Sequence, residues 1–347
     1  MPSNVLLLSP LRKPSGNHST VQRIRSHLES GNLVCKEWDP ADFDNEEEFL
    51  KKLTDNEVDF IIALHAYKAG KFLSDKVPIP YIVIFGGTDI NQFYTDDDKL
   101  LKMSRAVGAA RHIVAFSQEM MDKALRIWPH LDKSRTAIIK QGIQTRASSL
   151  RLRDYLVNQG HVSSSLVAEA YIFLFVGSIR PVKDPLYLVN TMAEWHRERA
   201  DVLYVIIGPK HEEDYFAKFQ EAIGRKDGII YLGEMDIEDT HACMRDCSAL
   251  VNTSESEGMA AVILESMDLG TPVMARCNGG NEALIQNNVT GFLFSSPEEF
   301  KDTANAFIKD AAVRSEVTQT AKAQILRGHS PEIERNAYHK LINDLKH

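Results

Sequence analysis

ALVNTSESEGMAAVILESMDLGTPVMA, residues 249–275, changes character three times in 27 residues. ALVNTS is a short apolar run of strand type, SESEG a polar loop, and MAAVILESMDLG a buried helix by length and composition. Gly270 and Pro272 stop that helix, and PVMA opens a second apolar run. Strand, helix and strand in this order make a parallel βαβ unit. The helix raises a question about Glu257 and Glu265, which bracket the apolar run from Met259 to Leu264. A buried carboxylate is costly unless something pairs with it. Either the two reach solvent at opposite ends of a core helix, or they face a ligand rich in hydroxyl groups.

The same alternation runs outward in both directions. VLLL (5–8), FIIALH (60–65), YIVIFGG (81–87), HIVAFS (112–117) and TAIIKQG (136–142) read as buried strands. IFLFVG (172–177), LYVIIG (203–208), GIIYLG (228–233), PVMAR (272–276) and TGFLF (290–294) repeat the pattern. Amphipathic stretches separate them, including VQRIRSHLESG (21–31), KLLKMSRAVGAA (99–110), DPLYLVNTMAEWHRE (184–198) and DYFAKFQEAIG (214–224). Continuous apolar strands alternating with helices predict parallel sheets covered on both faces. The rhythm breaks at TRASSLRLRDYLVNQGHVSSSLVAEA, which is polar and serine-rich. The expectation is therefore α/β, with two Rossmann-like doubly wound domains. The first spans 1–145, a linker 146–168 and the second 169–328; a helix in 329–347 is able to cross back to the first domain. Ligands of such sheets bind beyond the carboxyl ends of the strands. With two domains, the cleft between them is the expected site.

Composition narrows the classes. The chain has 347 residues, 44% hydrophobic and 25% charged, ordinary for a globular enzyme. Its formal charge of -8 supplies no basic footprint for nucleic acid. No run approaches the roughly 18–20 apolar residues of a membrane span. The opening MPSNVLLLSPLRKPSG lacks a basic leader and a small-residue cleavage site, so a cytoplasmic protein is expected. Four cysteines fit a reducing compartment without a disulfide framework. His241, Cys243 and Cys247 lie close together, but zinc needs a fourth ligand and none is evident. They read as a buried helix, and no metal site is expected. The sequons at Asn17, Asn252 and Asn288, without a secretory signal, read as chance matches.

Two loops carry charge suited to chemistry. In FVGSIRPVKDP (175–185) a strand ends at Gly177, Arg180 and Lys183 follow, and Asp184 and Pro185 are placed to cap and open a helix. Two cations beyond a strand's carboxyl end suit a diphosphate; the alternative is two surface cations beside a turn. In the opening stretch, Glu257 and Gly258 stand at the helix mouth, where free amides attract phosphate oxygens. Glu265 lies eight residues on, ~12 Å along a helix of ~1.5 Å rise. That span is comparable to the separation of sugar and ribose in a nucleotide sugar. The alternative is a buried helix with structural glutamates.

Glu257 and Glu265 form an E-x7-E pattern. With LYVIIG, GIIYLGEM, the 249–275 stretch and NGGNEALIQNNVTGFLF in that order, residues 170–296 resemble the retaining glycosyltransferases of family 4. These have two facing Rossmann-like domains, the GT-B fold. The resemblance implies that Glu257 contacts the transferred sugar and Glu265 the ribose. It implies that Gly258, Met259, Ala260 and Ala261 lie along the diphosphate and sugar, and that Lys183 meets the diphosphate. It places Glu234 and Met235 by the nucleobase, and Gly16 and Asn17 near the donor phosphates. The implied reaction is metal-independent transfer from a nucleotide-diphosphate sugar to an unidentified acceptor, with no cofactor. Some positions depart from the pattern. The family's arginine falls on Ser178, leaving Arg180 to replace it. A frequent histidine falls on Gly86, with Asp89 retained and His65 a candidate substitute on the acceptor side. Ala260 replaces a frequent glycine. The departures keep a second reading open, a catalytically silent nucleotide-sugar-binding protein. A nucleotide-sugar epimerase would need flanking acid and base carboxylates, and Asp89 is the one N-terminal candidate. A nicotinamide-dependent dehydrogenase is disfavoured because no GxGxxG follows a strand.

Overall fold

The computed structural model describes residues 3–11, 16–31, 33–224 and 226–346. It divides into two compact units, one formed by 1–142 with 329–347 and the other by 143–328. Unit 1 holds β1 (Asn4–Leu8), β2 (Val34–Trp38), β3 (Phe60–Leu64), β4 (Tyr81–Ile84), β5 (His112–Ala115) and β6 (Thr136–Ile138). They form a parallel sheet in the order β2-β1-β3-β4-β5-β6. Unit 2 holds β7 (Tyr171–Val176), β8 (Val202–Ile207), β9 (Ile229–Gly233), β10 (Ala249–Asn252), β11 (Val273–Arg276) and β12 (Phe292–Phe294). Its order, β12-β11-β10-β7-β8-β9, is again parallel and is that of a doubly wound nucleotide-binding sheet. The strand order reverses between β7 and β10, which are paired neighbours.

Why the strands read as unbroken apolar runs is visible in β7 and β8. Ile172, Leu174, Leu203 and Val205 enter one core, while Phe173, Phe175, Tyr204 and Ile206 enter the other. Successive side chains alternate between faces, and helices cover both. Full burial of each such side chain contributes roughly 1.5–3 kcal/mol.

β2 has no counterpart in the sequence reading. It is an edge strand whose Lys36 and Glu37 are half-buried, and the charges that blunt an edge also hide its strand character. The stretch 146–168, read above as a linker, carries the helix Leu152–Asn158 and most of the helix Ser164–Glu169. Leu152, Leu156 and Val167 are buried in the unit 2 core. Three apolar anchors suffice to fold a segment whose other residues are polar.

Asp184 is a second correction. It does not cap a helix; it follows the 3-10 turn Pro181–Lys183 with φ 42° and ψ 55°, and the next helix is Val189–Glu198. Its carboxylate instead accepts from Arg276 Nη1 at 3.1 Å, and that guanidinium lies 3.9 Å from the centre of the Tyr187 ring. An ion pair stacked on an aromatic face outweighs the capping preference read from Asp-Pro.

Gly208, after β8, has φ 153°, and a Cβ there would overlap the Gly177 carbonyl. Gly208→Ala is expected to destabilise the protein by about 2–4 kcal/mol, read as a lower urea midpoint. An unchanged midpoint would mean that the β7 and β8 loops can separate without cost.

Among the described residues no helix is long and apolar enough to cross a membrane. No group of three or more His, Cys, Asp or Glu side chains among them could hold a metal ion.

Candidate functional site

The loops after β7 and β10 are stitched together where the strand order of unit 2 reverses. Thr253 Oγ1 donates to the carbonyls of Lys183 (3.0 Å) and Asp184 (2.8 Å), and the Glu255 amide donates to Val182 O at 3.0 Å. The turn Pro181–Lys183 thus presents Lys183 to the β10 loop. Lys183 Nζ lies 2.5 Å from Glu257 Oε1. The same oxygen accepts from Ser254 Oγ at 2.6 Å and from Asn252 Nδ2 at 3.4 Å. Burial pushes the Glu257 carboxyl up, but Lys183, Ser254 and Asn252 outweigh it and leave the pKa below the ordinary carboxylate value. Glu257 is therefore an oriented anion.

Its backbone is fixed as well. Gly280 packs so closely against the Glu257 carbonyl that any Cβ would overlap it. Asn281, fully buried, donates to Asn252 Oδ1 at 3.1 Å, and Asn278 Nδ2 donates to Ser254 O at 2.9 Å. Arg180 stands before the same turn, half-buried, and its Nε is buried with no hydrogen-bond partner among the described residues. Burial lowers its pKa while the Glu257 and Glu212 carboxylates act in the opposite direction. A guanidinium stays cationic under such pressure.

The helix after the loop is Ala261–Leu269, starting two residues later than the sequence suggested. Gly258, Met259 and Ala260 are loop residues, and no side chain caps the helix at Ala260. Ala261 is its first residue. Glu265, half-buried, lies about one turn further along. Its Oε2 is 3.9 Å from His241 Nε2. Glu234 follows β9 and is exposed, whereas Met235 is half-buried against the unit 2 core.

The remaining candidates belong to unit 1. Gly16 and Asn17 open the helix Gly16–Glu29 rather than a loop, and residues 12–15 lie outside the described residues. Asp89 and His65 are brought together beyond β3 and β4. His65 Nδ1 is 2.6 Å from Asp89 Oδ1, and its Nε2 is 2.9 Å from Thr88 Oγ1. Asp89 also accepts from the amides of Ala66 (2.6 Å), Tyr67 (3.1 Å) and Gly86 (2.9 Å). His65 has φ 86°, and a Cβ at Gly86 would come within 3.3–3.4 Å of its ring. The imidazole packs against the position from which the expected histidine is missing.

Comparison with known proteins gives these loops a context. A family described as Glycosyl transferases group 1 matches residues 160–324. The chain is also 36% identical over 346 residues to the Xenopus tropicalis glycosyltransferase 1 domain-containing protein 1, covering 99% of this chain and 98% of that one. The chain belongs to the glycosyl transferases group 1 family. A more distant relative, the alpha-maltose-1-phosphate synthase of Mycobacterium tuberculosis (strain ATCC 25618 / H37Rv), is 27% identical over 198 residues, 54% of this chain and 49% of that one. Among solved structures, Anabaena HepE in complex with UDP and glucose is similar with a TM-score of 0.81 at 18% identity, covering 99% of this chain and 100% of that one. Sucrose-phosphate synthase from Thermosynechococcus elongatus is similar with a TM-score of 0.80 at 15% identity, covering 99% of each chain. The architecture is GT-B, and glycosyl transfer is the activity that family membership supports.

In this group 1 glycosyltransferase family member the loop after β7 carries Arg180, two residues beyond Ser178, on which the resemblance placed the family's arginine. Ser254, Asn252 and Asn281 escaped the sequence reading. Ser254 had a local signal, a hydroxyl three residues before a glutamate; Asn281 had none, since its partner Asn252 is 29 residues away.

Proposed function

We propose that the protein is a retaining glycosyltransferase that uses a nucleotide-diphosphate sugar. The observation that carries this is the Lys183–Glu257 pair at the β7–β10 reversal, with the Arg180 guanidinium at the start of the same turn within the field of Glu257. UDP-glucose, the ligand named for one complex of the similar HepE, is the first donor to try. The bond between the anomeric carbon and the diphosphate oxygen breaks, and its electron pair leaves with the diphosphate. Arg180, Lys183 and the amides at the start of Ala261–Leu269 stabilise that charge. The acceptor oxygen bonds to the anomeric carbon on the same face, and its proton passes to the departing phosphate. Glu257 holds sugar hydroxyls and Glu265 the ribose, each as an acceptor. Gly258, Met259, Ala260 and Ala261 line the diphosphate and sugar. Glu234 and Met235 flank the base. On the acceptor side, Asp89 holds His65 in place of the absent histidine.

The proposal assigns no step to a metal, so EDTA is expected to leave turnover unchanged. The direct test is incubation with UDP-, GDP- and ADP-sugars, with release of the nucleoside diphosphate and the product's anomeric configuration followed by NMR. Lys183→Ala is expected to weaken nucleotide-sugar binding about 10–100-fold, measured by calorimetry. Unchanged affinity would remove the diphosphate from this loop. Tight binding by the wild type with no nucleotide release would instead favour a silent nucleotide-sugar-binding protein.

A further inference from the structure

Behind Glu265 stands a histidine to which the reaction gives no part. His241 lies on the helix Ile237–Asp246 and is 5% exposed. Its Nδ1 is anchored by the backbone of Arg146, 3.0 Å from the carbonyl and 3.2 Å from the amide nitrogen. Its Nε2 is buried and has no hydrogen-bond partner among the described residues. A polar atom hidden from water without a partner is unfavourable. The nearest carboxylate is Glu265, 3.9 Å away, beyond hydrogen-bond length but within reach of a side-chain rotation. The exposures differ in a useful way: the Glu265 side chain is 25% exposed and that of His241 6%. One carboxylate oxygen therefore faces inward to the imidazole while the group still reaches solvent.

Among the described residues, two carboxylates act on the ring. Glu265 and Asp268 come from the facing helix, and Asp268 Oδ2 already accepts from Thr145 Oγ1 at 2.6 Å. On the ring's own helix, Asp239 accepts from Ser148 Oγ at 2.6 Å. Arg146 contributes its backbone, and its side chain is exposed. Glu265 is thus the carboxylate left to pair with Nε2.

We propose that His241 is a positioning residue for Glu265, donating Nε2–H to its inner oxygen so that the outer oxygen is aimed at the ribose hydroxyls. This rests on the reading of Glu265 as the ribose ligand. Burial pushes the imidazole pKa down, but Glu265, Arg146 and Asp268 more than reverse it, leaving the pKa above 6.5. The imidazolium form is favoured below that raised value. Above it the neutral ring either turns an Nε2 lone pair toward the carboxylate, with Nδ1–H on the Arg146 carbonyl, or keeps Nε2–H without the positive charge, with Nδ1 accepting from the Arg146 amide; in both cases its hold on Glu265 weakens. Donor affinity should therefore fall as pH rises through the His241 pKa.

The test uses the full chain with UDP, GDP and ADP, following by calorimetry whichever the wild type binds. Wild-type affinity is expected to fall about tenfold between about pH 6 and pH 9. His241→Asn, which retains a group near Nδ1 but none near Nε2, should bind about tenfold more weakly at low pH and lose the pH dependence. His241→Gln, whose amide reaches the Nε2 position, should recover affinity to within about threefold without pH dependence. A second measurement needs no ligand: in NMR titrations, Glu265→Gln should lower the His241 midpoint. An unmoved midpoint overturns the proposal. So does wild-type-like binding by His241→Asn when Glu265→Ala is weakened, which leaves the donor-site reading standing. If Glu265→Ala also binds like wild type, or none of the three nucleotides binds, the reading of Glu265 falls and the role of His241 with it.

Discussion

Glu257→Gln is expected to lower turnover about 10²–10³-fold while donor affinity stays within about threefold. Glutamine keeps the shape of the side chain and can still accept from Ser254 and Asn252. It lacks the charge that holds Lys183 at 2.5 Å and that would meet the sugar as positive character develops at the anomeric carbon. The lost interaction is one that strengthens in the transition state, so kcat falls and ground-state binding does not. The carboxyl's lowered pKa means it is ionised throughout the neutral range, so the wild type should show no acid limb from Glu257 near pH 7. Measuring kcat and Kd on one nucleotide sugar checks this. Equal losses in both, or none in either, would move Glu257 away from the reacting carbon.

The second large effect falls on unit 1. Glu334, on the helix Pro331–Leu345, has a fully buried side chain. It accepts from Arg23 Nε at 2.9 Å and from the Gly142 amide at 2.9 Å, and lies 2.9 Å from His27 Nε2. Glu334→Ala strands a partly buried guanidinium and an amide, and should cost about 3–5 kcal/mol. Thermal denaturation should show a loss of that size, and a change under about 1 kcal/mol would mean the pair is dispensable. The pH dependence follows the same group. Burial pushes its carboxyl up, but His27, Arg23 and Gly142 more than offset this, and the pKa lies below the ordinary 4.5. Its contribution is complete above the unfolded value and is lost as pH falls through the lower folded one. Glu334→Ala should therefore flatten the wild type's loss of stability below about pH 4.5.

Much of the architecture was legible because it depends on local pattern. β1, β3, β4, β7 and β8 have both faces covered, so their sequences are uninterrupted apolar runs. β2 borders solvent, and Lys36 and Glu37 masked it. Leu152, Leu156 and Val167 are too sparse among serines and charges to announce packed helices, and the division of the chain falls at 142/143 rather than after 145. Lys183 and Glu257 were singled out because each follows a strand; that the two strands are neighbours, and so bring the pair together, is what the fold added. The groups that orient them were not legible. Asp184 was read from its own dipeptide, but its partner Arg276 is 92 residues away. His241 was read with Cys243 and Cys247 as part of a buried helix, with no role beyond it. Its actual anchor, Arg146, is 95 residues distant.

The division of unit 1 between 1–142 and 329–347 has a consequence for biosynthesis. A ribosome makes Arg23, His27 and Gly142 early and delivers Glu334 after all of unit 2 has emerged. Until then unit 1 must persist with a polar socket uncorked and the face of the helix Gly16–Glu29 that meets Pro331–Leu345 bare to water. Chaperones that recognise exposed hydrophobic stretches should hold a released chain truncated at 328 and let go of one that carries 329–347.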